Sequence, residues 1–165
     1  MPKTTKKSPK AKSAKFVGQV RECQICKNKN LKPFLSLGHH PIPQEYLSEA
    51  QLHEMEAMYP LNLVYCGNCG LVQVDYIVPP ELVFAPNYPY RTGLTNMLIR
   101  NFQNLADTLE KEGYVKPGKL VLDIGSNDGT LLKPFKAKGA RVVGIEPTGA
   151  ADVANKDGIP TVKGF

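Results

Sequence analysis

The sequence has no stretch approaching the roughly 18 consecutive apolar residues of a membrane span. Its basic N-terminus runs into no apolar segment that would make it a signal peptide, and a transit peptide is the minor reading, since the tail is poor in arginine and has no amphipathic period. A cytoplasmic address without membrane contact is therefore the expectation. At 165 residues the chain has room for one medium domain, or for a small module plus part of a larger one, but not for two full-sized domains. Acids are missing from the first 15 positions, where Lys3, Lys6, Lys7, Lys10, Lys12 and Lys15 occur. The other 15 of the 21 basic residues meet 15 acidic ones, so the net charge of +6 belongs to the tail. Residues 1–18 are expected to form a disordered basic tail, either simply solvated or tethering an anionic partner. No second basic patch supports nucleic-acid binding, and no nucleic-acid partner is expected. No internal repeat with a solenoid period is present.

What is there divides at about residue 79. Residues 19–78 read as a small module. "VGQVRECQICKNKNLKPFLSLGHHPIPQEYL" is a series of short extended pieces broken by Gly and Pro, and "LSEAQLHEMEAM" allows a brief helix with Ser48 as its N-cap. "YPLNLVYCGNCGLVQVDYI" gives two strand-like runs on either side of "CGNC", a hairpin with cysteines at its tip. The linker "VPPELVFAPNYPYRTG" carries too many prolines for regular structure.

In residues 79–165 the period changes. Leu94, Met97, Leu98, Phe102, Leu105, Ala106 and Leu109 recur at helical spacing, with Thr92 or Thr95 to cap the start and Gly113 to end it. "KLVLDI", a helix after a glycine loop, "RVVGIE", a short helix in "GAADVANKDG" and the strand start "IPTV" then make a βαβαβ unit with parallel pairing. Pro134 is tolerated only in a first helical turn, which moves that helix start from Asp128 towards Leu131.

All four cysteines occur as CxxC pairs, Cys23 with Cys26 and Cys66 with Cys69. Two such turns supply four soft ligands for a tetrahedral ion, zinc or, alternatively, iron in a rubredoxin-like site. Buried free thiols would not explain the spacing, and two disulfides would need an oxidising compartment. Four thiolates close the coordination shell, so the metal is expected to be structural. His39, His40 and His53 then read as ordinary loop or helix residues.

The loop Gly125, Ser126, Asn127, Asp128, Gly129 departs from the dinucleotide pattern GxGxxG. Its middle glycine is replaced, and Asp128 would repel a pyrophosphate. A cofactor with an ammonium and a sulfonium would not be repelled. Asp123 closes the first strand, in reach of such an ammonium directly or through water. Glu146 closes the second strand 17 residues after Gly129, where a carboxylate can accept both hydroxyls of a ribose. This ordered set points to S-adenosylmethionine, against the plainer alternative of an ordinary strand-to-helix turn with two solvated acids.

"CQIC", "LGHHPIPQEYL", "YPLNLVYCGNCGLVQV", "YPYRTG", "DIGSNDGTLLKPF" and "GIEPTGAA", in this order from about Arg21 to Phe165, resemble the zinc-containing class I methyltransferases. That family includes sugar C-methyltransferases acting on nucleotide-linked keto-deoxysugars. The resemblance implies an α/β fold, a four-cysteine zinc module followed by the first part of a Rossmann-like methyltransferase domain. It implies that Cys23, Cys26, Cys66 and Cys69 bind Zn2+. It further implies that Gly125, Ser126, Asn127, Asp128 and Gly129, with Asp123 and Glu146, bind S-adenosylmethionine, and that Tyr88 and Tyr90 lie near the methyl-transfer site. In such enzymes a base removes a proton alpha to a ketone and the enolate carbon takes the methyl group. The base, a His with neighbouring Tyr and Glu, lies beyond the segment that matches this chain, and no residue here matches it. The chain is accordingly expected to be an N-terminal fragment, inactive alone, whose remainder is either continuous with it or a separate chain. The competing reading is a non-catalytic zinc-ribbon interaction module with a vestigial α/β unit.

Overall fold

The structure, a computed structural model, describes residues 17–44 and 46–165. All but the last two residues of the expected basic tail lie outside the described residues. The chain forms two compact units, residues 17–40 with 58–79, and residues 41–57 with 80–165.

The first unit is built on antiparallel strands. Strand β1 (Gly18–Gln19) pairs with β5 (Tyr76–Ile77), and β2 (Leu31–His40), β3 (Tyr59–Cys66) and β4 (Val72–Val74) make a meander in the order β2-β3-β4. The cysteine hairpin expected around "CGNC" is the β3–β4 connection. The stretch read as short extended pieces is instead a ten-residue strand, β2, which stays paired with β3 across two register shifts, at Pro33/Leu35 and Ser36/His39. The irregularities absorb Pro33 and Gly38, residues that would break a regular ladder. Buried apolar side chains are few here: Val20, Val64 and two of the cysteines.

The second unit holds the α/β layer. The segment 41–57 carries a single 3-10 turn, Glu49–His53, where the Gln51 side chain accepts a hydrogen bond from the Ser48 N–H at 2.9 Å. Helix α1 (Pro80–Val83) forms inside the proline-rich linker read as irregular. Its proline stands at the first helical position, where no N–H is needed and φ is already suitable. Helix α2 (Asn96–Lys111) follows, then β6 (Leu120–Ile124), α3 (Leu132–Ala137), β7 (Arg141–Glu146), α4 (Ala150–Lys156) and β8 (Thr161–Lys163). The three strands are parallel in the order β6-β7-β8. Helix α3 starts at Leu132, so Pro134 does fall in a first turn.

Helix α2 ends at a left-handed Gly113, whose N–H reaches Glu110 O while the Tyr114 N–H reaches Leu109 O, both at 2.9 Å. This Schellman closure recurs after α3 at Gly139 and after α4 at Gly158. The core gathers Ala106 of α2, Leu132 and Phe135 of α3, Val142 of β7, Ala154 of α4 and Ile159, against one face of the sheet. On the opposite face Leu122, Ile124 and Val162 remain exposed, and β6 has no second partner strand among the described residues. No helix among the described residues is long and apolar enough to cross a membrane.

Candidate functional site

In the first unit the two CxxC turns are built alike. Lys27 N donates to Cys23 O at 3.0 Å and Gly70 N to Cys66 O at 2.9 Å; Cys23 N donates to Asn28 O and Cys66 N to Leu71 O, both at 2.8 Å. The fifth residue of each turn is left-handed, Lys27 at φ 61° and Gly70 at φ 74°. The pairs face each other, Cys23 to Cys69 at 3.6 Å and Cys26 to Cys66 at 3.5 Å, and all four sulfurs lie within 4.8 Å of one another. Tetrahedral zinc–thiolate bonds of about 2.3 Å would set sulfurs ~3.8 Å apart, so the cluster fits zinc. A disulfide needs about 2.05 Å, and all four thiols are free.

The electrostatics favour a cation. The Asn28 N–H and the Asn68 side chain draw the Cys26 thiol from 9.0 down to about 6. At Cys69 the Leu71 N–H pulls the same way, but the neighbouring Cys26 and Cys23 sulfurs outweigh it and push the thiol up to about 12. Negative charge on sulfurs this close is mutually repulsive, and a positive ion at their centre removes that cost. Asn68 joins the two turns, its N–H at 3.4 Å from Cys66 Sγ and its Nδ2 at 3.6 Å from Cys26 Sγ. Gln73 braces the cluster from β4, accepting from Gln24 N at 2.9 Å and donating to Glu22 O at 3.3 Å. Neither residue was singled out by the cysteine spacing; their signal is a polar side chain beside a ligand turn. His40 sits on β2 with its Nε2 2.7 Å from Leu37 O.

In the second unit a cavity of about 460 Å3 opens at the C-terminal ends of β6 and β7. This is where ligands bind in open parallel sheets. Its floor is Ile124, Gly125, Asn127, Ile145 and Glu146; its wall is Phe84, Tyr88, Tyr90 and Thr92. Tyr88 and Tyr90 thus do meet the glycine loop at one cavity. Gly125, at φ 82°, has nothing within 4 Å of where a Cβ would stand, so the loop leaves room for a close ligand there.

Glu146 is 5% exposed and firmly held. Its Oε1 accepts from Thr148 N at 3.0 Å and Thr148 Oγ at 2.6 Å, and its Oε2 accepts from Asn127 N at 3.0 Å. Of roughly four acceptor positions on a carboxylate, three are filled. The expectation that Glu146 takes both ribose hydroxyls therefore narrows to one on Oε2, unless the Asn127 bond is exchanged. Asp123 is half-buried, and its burial, followed by the nearby Glu146 carboxylate, raises its pKa above the usual range.

Four residues of the sequence-based set do not line the cavity: Asp123, Ser126, Asp128 and Gly129. Ser126 is buried, and its Oγ lies where a Cβ on Gly144 of β7 would have to go. Asp128 is also buried, with Oδ2 accepting from Gly93 N at 2.8 Å and Oδ1 from Thr130 N and Oγ1 at 3.1 and 2.6 Å. Its carboxylate is therefore satisfied within the fold, and repulsion of a bound phosphate by an open Asp128 is not what shapes the loop. Gly129, at φ 74°, backs onto Ile159 in the core, 2.9 Å from the position of a Cβ. This packing and the left-handed turn both call for a residue without a side chain at this position.

Two comparisons bear on the chain. Residues 23–84 match a protein family described as "Putative zinc binding domain". Over 148 residues, 89% of this chain, the sequence is 29% identical to the C-methyltransferase NovU of Streptomyces niveus. The chain spans 35% of the length of that curated relative. It resembles the N-terminal region of a zinc-containing, C-methyltransferase-like family, and the four-cysteine cluster is the zinc site of that resemblance.

Proposed function

We propose that the second unit is the cofactor-binding part of an S-adenosylmethionine-dependent methyltransferase, and that the full-length enzyme methylates carbon in a nucleotide-linked keto-deoxysugar. The observation that carries the cofactor reading is the convergence of Gly125, Asn127 and Glu146 with Tyr88 and Tyr90 on one cavity at the ends of two parallel strands. The cavity lies within the roughly 300–1,000 Å3 range of small-molecule sites. The cofactor would supply an electrophilic methyl group on a positive sulfur.

The chain's own residues would hold it. Glu146 Oε2 offers its remaining acceptor to a ribose hydroxyl, and Thr148 keeps that carboxylate from turning. Gly125 leaves space for close contact, and Phe84 and Tyr88 of the wall with Ile145 of the floor give an apolar lining that excludes water. Asp123, outside the cavity lining, is a carboxylate whose ionised form is disfavoured by burial and by Glu146, a cost that a ligand ammonium would relieve. The proton-abstracting base and the acceptor site are assigned to the remainder of the enzyme. Zinc has no open coordination position among four cysteines, and its work is to hold the first unit, whose apolar core is small.

Calorimetric titration of S-adenosylhomocysteine onto the wild-type chain and the Glu146→Ala variant tests this reading. Loss of a charged hydrogen-bond partner is expected to weaken binding by about ten- to a hundredfold. Equal affinities would remove Glu146, and with it the ribose assignment.

A further inference from the structure

Two loop residues that the sequence assigns to the cofactor have their side chains committed elsewhere. Asn127, left-handed at φ 48°, accepts from Thr92 N on Oδ1 at 3.1 Å and donates through Nδ2 to Tyr90 O at 3.2 Å. Asp128 accepts from Gly93 N at 2.8 Å. All three partners belong to one segment, 84–93, which also supplies the cavity wall. That segment is fixed at a second point: Gly149 N, at the start of α4, donates to Pro86 O at 2.9 Å, and Arg91 closes it on itself by donating to Tyr88 O and Tyr90 O at 2.6 and 2.8 Å. The approach is close at both points. A Cβ on Gly93 would stand 2.8 Å from Thr130 Oγ1 and 3.0 Å from Asp128 Oδ2, and one on Gly149 would stand 2.8 Å from Pro86 O.

We infer that Asn127 and Asp128 are positioning residues that dock the aromatic strap 84–93 onto the glycine loop, and that this docking, rather than contact of their side chains with the cofactor, is how they set cofactor affinity. The inference rests on the S-adenosylmethionine reading for its second half only. An Asn amide can bridge an N–H and a C=O of one extended segment as a neighbouring strand would, which no other side chain of this size but Gln can do. An Asp buried behind the loop adds a charge-assisted bond to the next amide. The strap has little regular structure of its own to hold Phe84, Tyr88 and Tyr90 against the floor of the cavity, so its placement depends on these bonds. The Asn at position 127, where a dinucleotide turn has its middle glycine, and the Asp that follows it then have a purpose unrelated to phosphate.

Hydrogen exchange and ligand titration on the full 15N-labelled chain separate the two halves. The amides of Thr92 and Gly93 report the docking, and S-adenosylhomocysteine is the ligand. Asn127→Ala and Gly93→Ala are expected to speed exchange at both amides at least about tenfold and to weaken ligand binding about tenfold, with the amide pattern of β6, β7 and β8 retained. Gly93→Ala is the decisive variant, because Gly93 is not in the cavity lining and removes no group from it. Unchanged exchange in Asn127→Ala would overturn the docking role. Faster exchange in Gly93→Ala with wild-type affinity would overturn its effect on affinity. A wild-type chain that binds neither S-adenosylmethionine nor S-adenosylhomocysteine would sink the cofactor reading, and the exchange rates would still decide the docking.

Discussion

Two glycines of one loop, Gly125 and Gly129, should respond to alanine in opposite ways. Both are left-handed, at φ 82° and 74°. An alanine there pays roughly 1–2 kcal/mol of backbone strain, offset by about 0.4–1 kcal/mol from a stiffer unfolded chain. That leaves a net cost of about 1 kcal/mol at each. The surroundings differ. At Gly129 a Cβ would meet Ile159 at 2.9, 3.0 and 3.2 Å, and Ile159 is 2% exposed within the core cluster, so it has little room to yield. Overpacking of this kind adds about 1–3 kcal/mol. Gly129→Ala should therefore cost about 2–4 kcal/mol of stability, and Gly125→Ala only about 1 kcal/mol. Affinity should reverse the order: Gly125→Ala puts a methyl group where nothing now stands within 4 Å, at the cavity floor, while Gly129→Ala adds nothing to the lining. Urea unfolding followed by far-UV circular dichroism gives the stabilities, and S-adenosylhomocysteine titration below the unfolding range gives the affinities. Equal stability losses, or a Gly129→Ala protein of wild-type stability with impaired binding, would refute the assignment of Gly129 to packing.

Three further outcomes are expected. The purified chain should carry one zinc per molecule, and Cys66→Ser or chelation should abolish the ordered amide signals of β2, β3 and β4; a metal-free protein with those signals intact would contradict the account of the first unit. Because burial and then Glu146 raise the folded pKa of Asp123, this group's contribution to stability is full below its unfolded pKa and is lost as pH rises through the folded one. Asp123→Asn should therefore stabilise the free protein at neutral pH and flatten that dependence in thermal melts, while weakening a ligand that carries an ammonium; a destabilised variant would be the wrong sign. Lys27→Gly should stabilise the zinc-loaded protein by roughly 0.5–1 kcal/mol, since Lys27 holds the left-handed position that Gly70 fills in the twin turn, and a loss of stability would show that its side-chain contacts matter more.

The parts of this fold that were legible in the sequence are those written in local pattern. Paired CxxC spacing marks the metal cluster, apolar runs ending in Ile124, next to Asp123, and in Glu146 mark the strand ends, and Pro134 sets the start of α3. Strand β2 was not legible as one element, because Pro33 and Gly38 break its local signal and its continuity comes from pairing with β3 across the two register shifts. Helix α1 was hidden because a four-residue turn among prolines has too short a pattern to read. The side-chain directions of the glycine loop were also beyond reach. Residue type allows Asp128 to face a ligand or the fold, and only the position of the Gly93 N–H, which is set by long-range packing, decides between them. The same holds for Gly129 and Ile159, 30 residues apart in sequence but adjacent in the core.

The most direct test of the cofactor site is a titration of the 15N-labelled wild-type chain with S-adenosylmethionine and, separately, with NAD+. S-adenosylmethionine is expected to shift the amides of Gly125, Asn127, Ile145 and Glu146 in a saturable way, with those of the zinc turns unmoved, and NAD+ to leave the loop unchanged at equal concentration. Shifts confined to other residues, or a response to NAD+ at least as strong, would contradict the assignment of this cavity to S-adenosylmethionine.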